Sequence, residues 1–253
     1  MKRIISFFLC VLMTATLLAG CGDRKQRTTW IIAVGGDFSP FVCADANGKA
    51  VGLDVELLDA IARDQNFRYE LRPSDWDTAM SVFTSHQAQV LMGSIASSQE
   101  RIDGGWFFSH SFYNGVTQSM AMEPSSDTNT LEDLAGKAVA VVSGTLGAAY
   151  AESVKDKYGF SIATFSDSHS MYAAVLEGRA AACFEDTPAL RDSIAGGVAL
   201  ELVPGSEGAA SDYCVAICDE KDRPFLELFN QGLANIRANG IYDAILAKYA
   251  DTL

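Results

Sequence analysis

The chain has 253 residues, with 32 acidic against 19 basic side chains and a formal net charge of −13. That acidic excess disfavours nucleic acid and anionic lipid headgroups as partners. Apolar residues make up 49% of the chain, enough for an ordinary core, and no run beyond residue 20 approaches the roughly 20 apolar residues of a membrane span.

The N-terminus carries Lys2 and Arg3, an apolar run over residues 4–18, and the small residues Ala19 and Gly20. A basic start, an apolar middle and small residues before a cut make a secretory signal peptide over residues 1–20. The apolar run is about 15 residues, too short to cross a bilayer. Leu18-Ala19-Gly20-Cys21 resembles a bacterial lipobox. The resemblance implies that Cys21 is diacylated and that the protein is lipid-anchored at the extracytoplasmic face of the cell membrane. Residues 21–29 are polar and charged and read as a tether.

Residues 30–34 (Trp-Ile-Ile-Ala-Val) read as a buried strand that ends in the turn-rich Gly35-Gly36-Asp37-Phe38-Ser39-Pro40-Phe41. Asn47-Gly48 marks a hairpin turn. Residues 53–63 have helical spacing: Leu53, Leu57, Ala60 and Ile61 share one face, and Asp54, Glu56 and Asp59 fall mostly on the solvated one. Residues 67–71 alternate as a strand, 78–85 suggest a helix, and 90–92 a short buried strand. The pattern then restarts. Residues 138–142 are strand-like, 143–147 turn into a helix over 148–157, 161–165 form a strand, 171–177 a helix capped by Gly178, and 180–184 a strand. Residues 224–249 read as two helices broken at Asn239-Gly240. Two successive β-α-β-α-β runs predict an α/β protein of two similar lobes with a cleft between them.

Four cysteines remain beyond the signal peptide and the lipid site: Cys43, Cys183, Cys214 and Cys218. Export permits disulfides. Cys214 and Cys218, however, sit four apart in a strand-like run, about 13 Å from each other, too far to pair without a bend. They read equally as small buried hydrophobes. His86, His110 and His169 are scattered and no Cys-x-x-Cys exists, so neither a metal nor a cofactor is expected.

In an open α/β sheet ligands bind beyond the carboxyl ends of the strands. Phe38, Trp76 in the polar loop Pro73-Ser74-Asp75-Trp76-Asp77, the segment 93–101, the segment 143–147 and Glu185-Asp186 all follow strands. Arg101 could grip a carboxylate with two parallel hydrogen bonds. Free N–H groups near Thr145 and Leu146 would add donors, Asp186 would balance an ammonium, and two aromatic faces would cover an aliphatic stem. Each residue also has a plainer reading: Phe38 and Trp76 as core, Arg101 as helix surface, Asp186 as a helix cap. Gly144-x-x-Gly147 lacks the Gly-Lys-Ser/Thr of a phosphate loop.

With these residues in place the chain resembles the extracellular solute-binding proteins of family 3, the polar amino-acid-binding components of ABC importers. The markers run in order from about Trp30 to Tyr249. They are Ser39-Pro40-Phe41, Gly52-Leu53-Asp54-Val55-Glu56-Leu57, Arg101, and Phe108-Ser109-His110-Ser111-Phe112-Tyr113. Next come Leu131-Glu132-Asp133-Leu134-Ala135-Gly136-Lys137, Ser143-Gly144-Thr145, Glu177-Gly178-Arg179, Asn239-Gly240-Ile241-Tyr242 and Lys248-Tyr249. The resemblance implies a two-lobed periplasmic-binding-protein-like fold of type II that hinges shut on its ligand. Lobe 1 would be residues 30–117 plus 215–253 and lobe 2 residues 118–214, with crossings near 116–120 and 210–215. It further implies Arg101 on the ligand's α-carboxylate, with Thr145 and the N–H groups of Ala96 and Leu146 in support. Ser94 and Asp186 would hold the α-ammonium, and Phe38 and Trp76 would form an aromatic clamp. The implied partners are an amino acid or similar zwitterion, the permease subunits and, through the lipid, the membrane; the implied state is a monomer.

The chain departs from the family pattern in places. Ala96 stands where Ser or Thr is usual. Gly35 replaces an aspartate found in several binders of basic amino acids, which argues against lysine or arginine. Gln89 and Ala181 replace aspartates at the starts of the inner strands. Two other functions share the scaffold: a cyclohexadienyl dehydratase-like enzyme, with Glu185 or His110 as its acid, and a stand-alone amino-acid sensor.

Overall fold

The computed structural model describes residues 29–253. The signal peptide, the lipobox with Cys21 and the tether up to residue 28 lie outside the described residues. Thr29, expected as the last tether residue, is instead the first residue of strand β1 (Thr29–Gly35) and pairs with Arg68.

β1 is followed by a small antiparallel sheet of β2 (Asp37–Phe38), β3 (Val42–Ala44) and β4 (Ala50–Val51). Helix α1 (Leu53–Gln65), β5 (Arg68–Ser74), α2 (Trp76–Thr84), β6 (Val90–Ala96), the short α3 (Gln99–Asp103), β7 (Phe107–Phe108) and β8 (Tyr113–Val116) complete the first run. β1 lies between β5 and β6 and parallel to both. That placement explains its unbroken apolar composition, because a central parallel strand is covered on both faces. β6 is buried along its whole length and runs to Ala96, so Ser94 and Ala96 are strand residues, not loop residues as expected. Asp54 also departs from expectation. It lies in the first turn of α1 but is fully buried, not on the solvated face.

The second run repeats the plan. β9 (Gln118–Met122), β10 (Ala138–Val142), α4 (Leu146–Tyr158), β11 (Ser161–Phe165), α5 (Ser168–Leu176), β12 (Ala182–Asp186), α6 (Thr187–Ala195) and β13 (Glu201–Leu202) build a sheet of order β11-β10-β12-β9-β13. β10 is parallel to β11 and β12, and β9 is antiparallel to β12. β14 (Ser211–Ile217) then returns to the first sheet, whose order is β5-β1-β6-β14-β7 with β8 also on β14. The chain passes between sheets at Thr117 and over residues 203–210. Ser211 already pairs with Val116 of the first sheet, four residues before the position expected from the resemblance.

Helices α7 (Arg223–Ala238) and α8 (Ile241–Leu246) close the first lobe, and the turn at Asn239-Gly240 separates them as the sequence indicates. Phe225 and Phe229 of α7 join Trp30, Leu57 and Ile61 in one core. The second lobe has its own cores around Val139, Val141 and Phe184 on one face and Met171, Val175 and Leu190 on the other. Cys43, Cys183, Cys214 and Cys218 are free thiols. Among the described residues no helix is long and apolar enough to cross a membrane.

Candidate ligand site in the inter-lobe cleft

The carboxyl ends of β1, β6, β10 and β12 face one cavity that is partly open to solvent. All eight residues singled out for ligand binding line it: Phe38, Trp76, Ser94, Ala96 and Arg101 from the first run, and Thr145, Leu146 and Asp186 from the second. The wall also carries Asp37, Asp167, Ser168 and Glu185, which were not assigned to the ligand.

Arg101 lies on α3, whose N-cap is Ser98; the Ser98 hydroxyl accepts the Arg101 N–H. Its Nη1 donates to Ala96 O at 2.7 Å, and its Nη2 reaches across the cleft to Gly144 O at 2.8 Å. A guanidinium has five N–H groups, so three remain for a ligand. The guanidinium carbon lies 5.5 Å from the Trp106 ring centroid, which fixes its plane.

Trp76 is not in a polar loop as expected. It opens α2, and the apparent loop residue Asp75 is the helix cap, accepting Thr78 N–H at 2.8 Å. The indole packs against cores of both lobes, and its buried Nε1 has no hydrogen-bond partner. Phe38 stacks on Phe41 with ring centroids 5.6 Å apart, so the core holds it in place.

Ser94 has a positive φ of 56°, and Gly93 before it has φ 120°. A non-glycine residue there costs about 1–3 kcal/mol unless its surroundings hold it. Asp54 does so: its Oδ2 accepts the Ser94 N–H at 3.0 Å, and the Gly93 N–H also faces its carboxylate. The turn leaves Ser94 Oγ buried without a partner. Burial pushes the Asp54 carboxyl up to about 7, the two N–H groups acting in the opposite sense. Sequence reasoning missed this role. The only local signal was the Gly-Ser pair inside an apolar strand, the usual mark of a bulge or turn.

α4 begins at Leu146, two residues earlier than expected, and Thr145 caps it. The Thr145 hydroxyl accepts Ala148 N–H at 3.2 Å and donates to Val142 O at 2.8 Å, so it is committed to the fold. The helix start leaves early N–H groups without intrahelical acceptors, which suits an anion. Gly147 permits the approach: a Cβ there would meet Phe184 O at 2.5 Å.

Glu185 and Asp186 are the last two residues of β12 rather than a following loop. Asp186 follows neither reading alone. Its side chain makes no capping bond; Gln118 Nε2 donates to its Oδ1 at 3.0 Å, and the Tyr213 hydroxyl donates to its Oδ2. Burial pushes it up to about 6, and those two bonds act against the shift. Glu185 is pushed up to about 8 by burial, with the neighbouring Asp186 charge adding to it. His110 is absent from the cavity wall; its backbone N–H is held by Asn230 Oδ1 at 2.7 Å.

One cavity between two similar α/β lobes, lined from the carboxyl ends of both sheets, defines a two-lobed binding protein. The family model for bacterial extracellular solute-binding proteins, family 3, matches residues 30–252, and the chain belongs to that family. It is 25% identical over 230 residues to the lysine/arginine/ornithine-binding periplasmic protein of Escherichia coli K12, covering 85% of this chain and 84% of that protein. An ancestral arginine-binding protein bound to arginine superposes with a TM-score of 0.79 at 25% identity, covering 88% of this chain and 98% of the other. Substrate binding domain 2 of Lactococcus lactis GlnP, in open conformation, is 28% identical but scores 0.59, covering 88% and 96%. A rotation of one lobe lowers a whole-chain score without changing either lobe. The arrangement here is thus nearer to the arginine-bound protein than to the open one.

Proposed function

We propose that the protein is the lipid-anchored, extracytoplasmic substrate-binding component of an ABC importer. It takes up an amino acid or similar small zwitterion in the cleft, closes on it and presents the closed form to the permease. The observation that carries this reading is the convergence of Arg101 and the α4 N-terminus with Ser94 and Asp186 on one inter-lobe cavity. The three unused N–H groups of Arg101 suit a carboxylate, and the free Ser94 Oγ with the Asp186 carboxylate suits an ammonium. A ligand that touches both lobes favours the closed state by its differential affinity for it. The relatives named above are binding proteins, which supports capture over catalysis.

A thermal-shift screen of the twenty amino acids and related zwitterions tests the reading. A ligand at 100 times its Kd stabilises by about 2.7 kcal/mol, or roughly 5–10 °C for a chain of this size. At least one α-amino acid should give such a shift, and its α-carboxamide should not. A screen with no shift contradicts the reading. The anchor is tested separately: Cys21→Ser should leave the detergent phase that holds the wild type, and a variant that still partitions there overturns the lipid assignment.

A further inference from the structure

Asp37, Ser168 and Glu185 form a string across the cavity. Ser168 is the first residue of α5. Its hydroxyl donates to Glu185 Oε2 at 2.6 Å, and its N–H faces the Asp37 carboxylate and favours its charged form. Asp37 lies on β2 beside the first sheet and is exposed at the cavity mouth; Glu185 lies on β12 of the second and is 1% exposed. Two carboxylates from opposite lobes therefore meet at one serine.

Among the described residues neither carboxylate has an ion-pair partner, and neither does Asp186. Among the described residues Arg101 is the one basic residue on the cavity wall, and it is bonded to the carbonyl oxygens of Ala96 and Gly144. Buried carboxylates are normally paired or give up their charge. An α-ammonium accounts for Asp186 and leaves the buried Glu185 uncompensated, with the exposed Asp37 of the other lobe beside it. A second observation marks the cavity as built for an occupant: the indole Nε1 of Trp76, on the same wall, is buried without a partner.

We infer that Asp37 and Glu185 form a second cation subsite, complete only when the lobes meet, for an amino acid whose side chain ends in an ammonium, amidinium or guanidinium group. The inference rests on the amino-acid reading above and deepens it. It reverses the expectation drawn from Gly35, because the acid is supplied from other positions, one on each lobe. The groups facing Glu185 are Asp186 beside it, Cys183 on its own strand, Asp37 from β2, Tyr172 from α5 and Tyr213 from β14. None is a cation. Without ligand the carboxyl therefore keeps its proton at neutral pH. A side-chain cation within about 4–6 Å favours the carboxylate, so the carboxyl gives up one proton to the buffer as the ligand binds.

Calorimetry at about pH 7.5 with two near-isosteric pairs tests this. Lysine is compared with norleucine and arginine with citrulline, each pair differing in side-chain charge. The charged member of at least one pair should bind about 30-fold more tightly or better. Glu185→Gln and Asp37→Asn should each cut that preference severalfold. Asp37 is exposed, so its variant stays informative if Glu185→Gln fails to fold. Lysine or arginine binding should also release protons in wild type, seen as heats that differ between phosphate and Tris, and this release should vanish in Glu185→Gln. If the neutral members bind as tightly as the charged ones, or if the screen finds only neutral or acidic amino acids, the cation subsite is overturned while the amino-acid reading stands. If no amino acid binds at all, both fall together.

Discussion

Arg101 Nη2 donates to the carbonyl oxygen of Gly144 at 2.8 Å, a bond that joins the two lobes across the cleft. Other bonds span the lobes as well: the Tyr213 hydroxyl donates to Asp186, and Arg191 Nη1 donates to Leu253 O at 3.5 Å. Apolar groups cross as well. Leu146 of the second run packs against the core of the first, and Trp76 of the first packs against a core of the second. The two lobes thus enclose a cavity whose wall leaves buried polar atoms, Ser94 Oγ and Trp76 Nε1, without partners.

Closure should be visible in solution. Small-angle scattering should show a smaller radius of gyration with the saturating amino acid than without it. Arg101→Ala at the same ligand concentration should keep the ligand-free radius. An equal radius for wild type with and without ligand contradicts closure driven by the ligand.

Asp54 should matter although it never touches the cavity. Asp54→Ala leaves the Ser94 N–H without its acceptor, at a cost of about 1–3 kcal/mol. The melting temperature should drop, and amino-acid affinity should fall with it, because the turn that presents Ser94 relaxes. Asp54→Asn keeps one acceptor oxygen and should lose less of both. Wild-type affinity in Asp54→Ala would show that the turn holds itself.

Gly147 sets how closely α4 approaches β12. A methyl group at this position meets Phe184 O at 2.5 Å, so Gly147→Ala must push the helix start outward. Overpacking of this kind costs about 1–3 kcal/mol. Melting and calorimetry should show lower stability and weaker binding together, since the displaced turn carries the Leu146 N–H. A neutral substitution would contradict this geometry.

The buried acids set the direction of the pH response. Glu185 is pushed up to about 8, Asp54 to about 7 and Asp186 to about 6. Each carboxyl holds its proton more tightly in the folded chain than in the unfolded one. Their contribution to stability is therefore full below the unfolded carboxylate range and is lost as pH rises through the folded values. The melting temperature of the ligand-free protein should fall between about pH 5 and pH 8.5, and Glu185→Gln should flatten the upper part of that fall. Asp75 and Asp133, held low by hydrogen bonds to Thr78 and Thr130, act in the opposite sense but at lower pH, outside this window. A flat profile would contradict the burial of these groups.

The inner strand at residues 138–142 was legible because it is a continuous apolar run, and the edge strand at 161–165 was read with its observed bounds as well. The repeated β-α-β-α-β order carried the two-lobed fold with them. Trp76 was misplaced because Ser74-Asp75 looks like a loop, yet a short acidic residue before an aromatic is also how a helix begins. β6 was cut short at Met92 because Gly93-Ser94 reads as a breaker; the strand continues through the turn on bonds from Asp54, 40 residues earlier. No local pattern encodes such a partner. The same holds for Asp37, Ser168 and Glu185, which are brought together only by the meeting of β2, α5 and β12.

Calorimetry on four combinations measures directly whether Arg101 holds the ligand's α-carboxylate: wild type and Arg101→Ala, each with the amino acid of largest thermal shift and with its α-carboxamide. Removing one partner of a buried charge pair costs about 2–5 kcal/mol, so the carboxamide should bind wild type about 30- to 5,000-fold more weakly than the acid. In Arg101→Ala the two should bind almost equally, and Arg101→Lys should not restore the difference, because a point charge lacks the paired N–H geometry. A coupling near zero, with acid and carboxamide separated by the same factor in both proteins, would contradict the assignment of Arg101 to the ligand carboxylate.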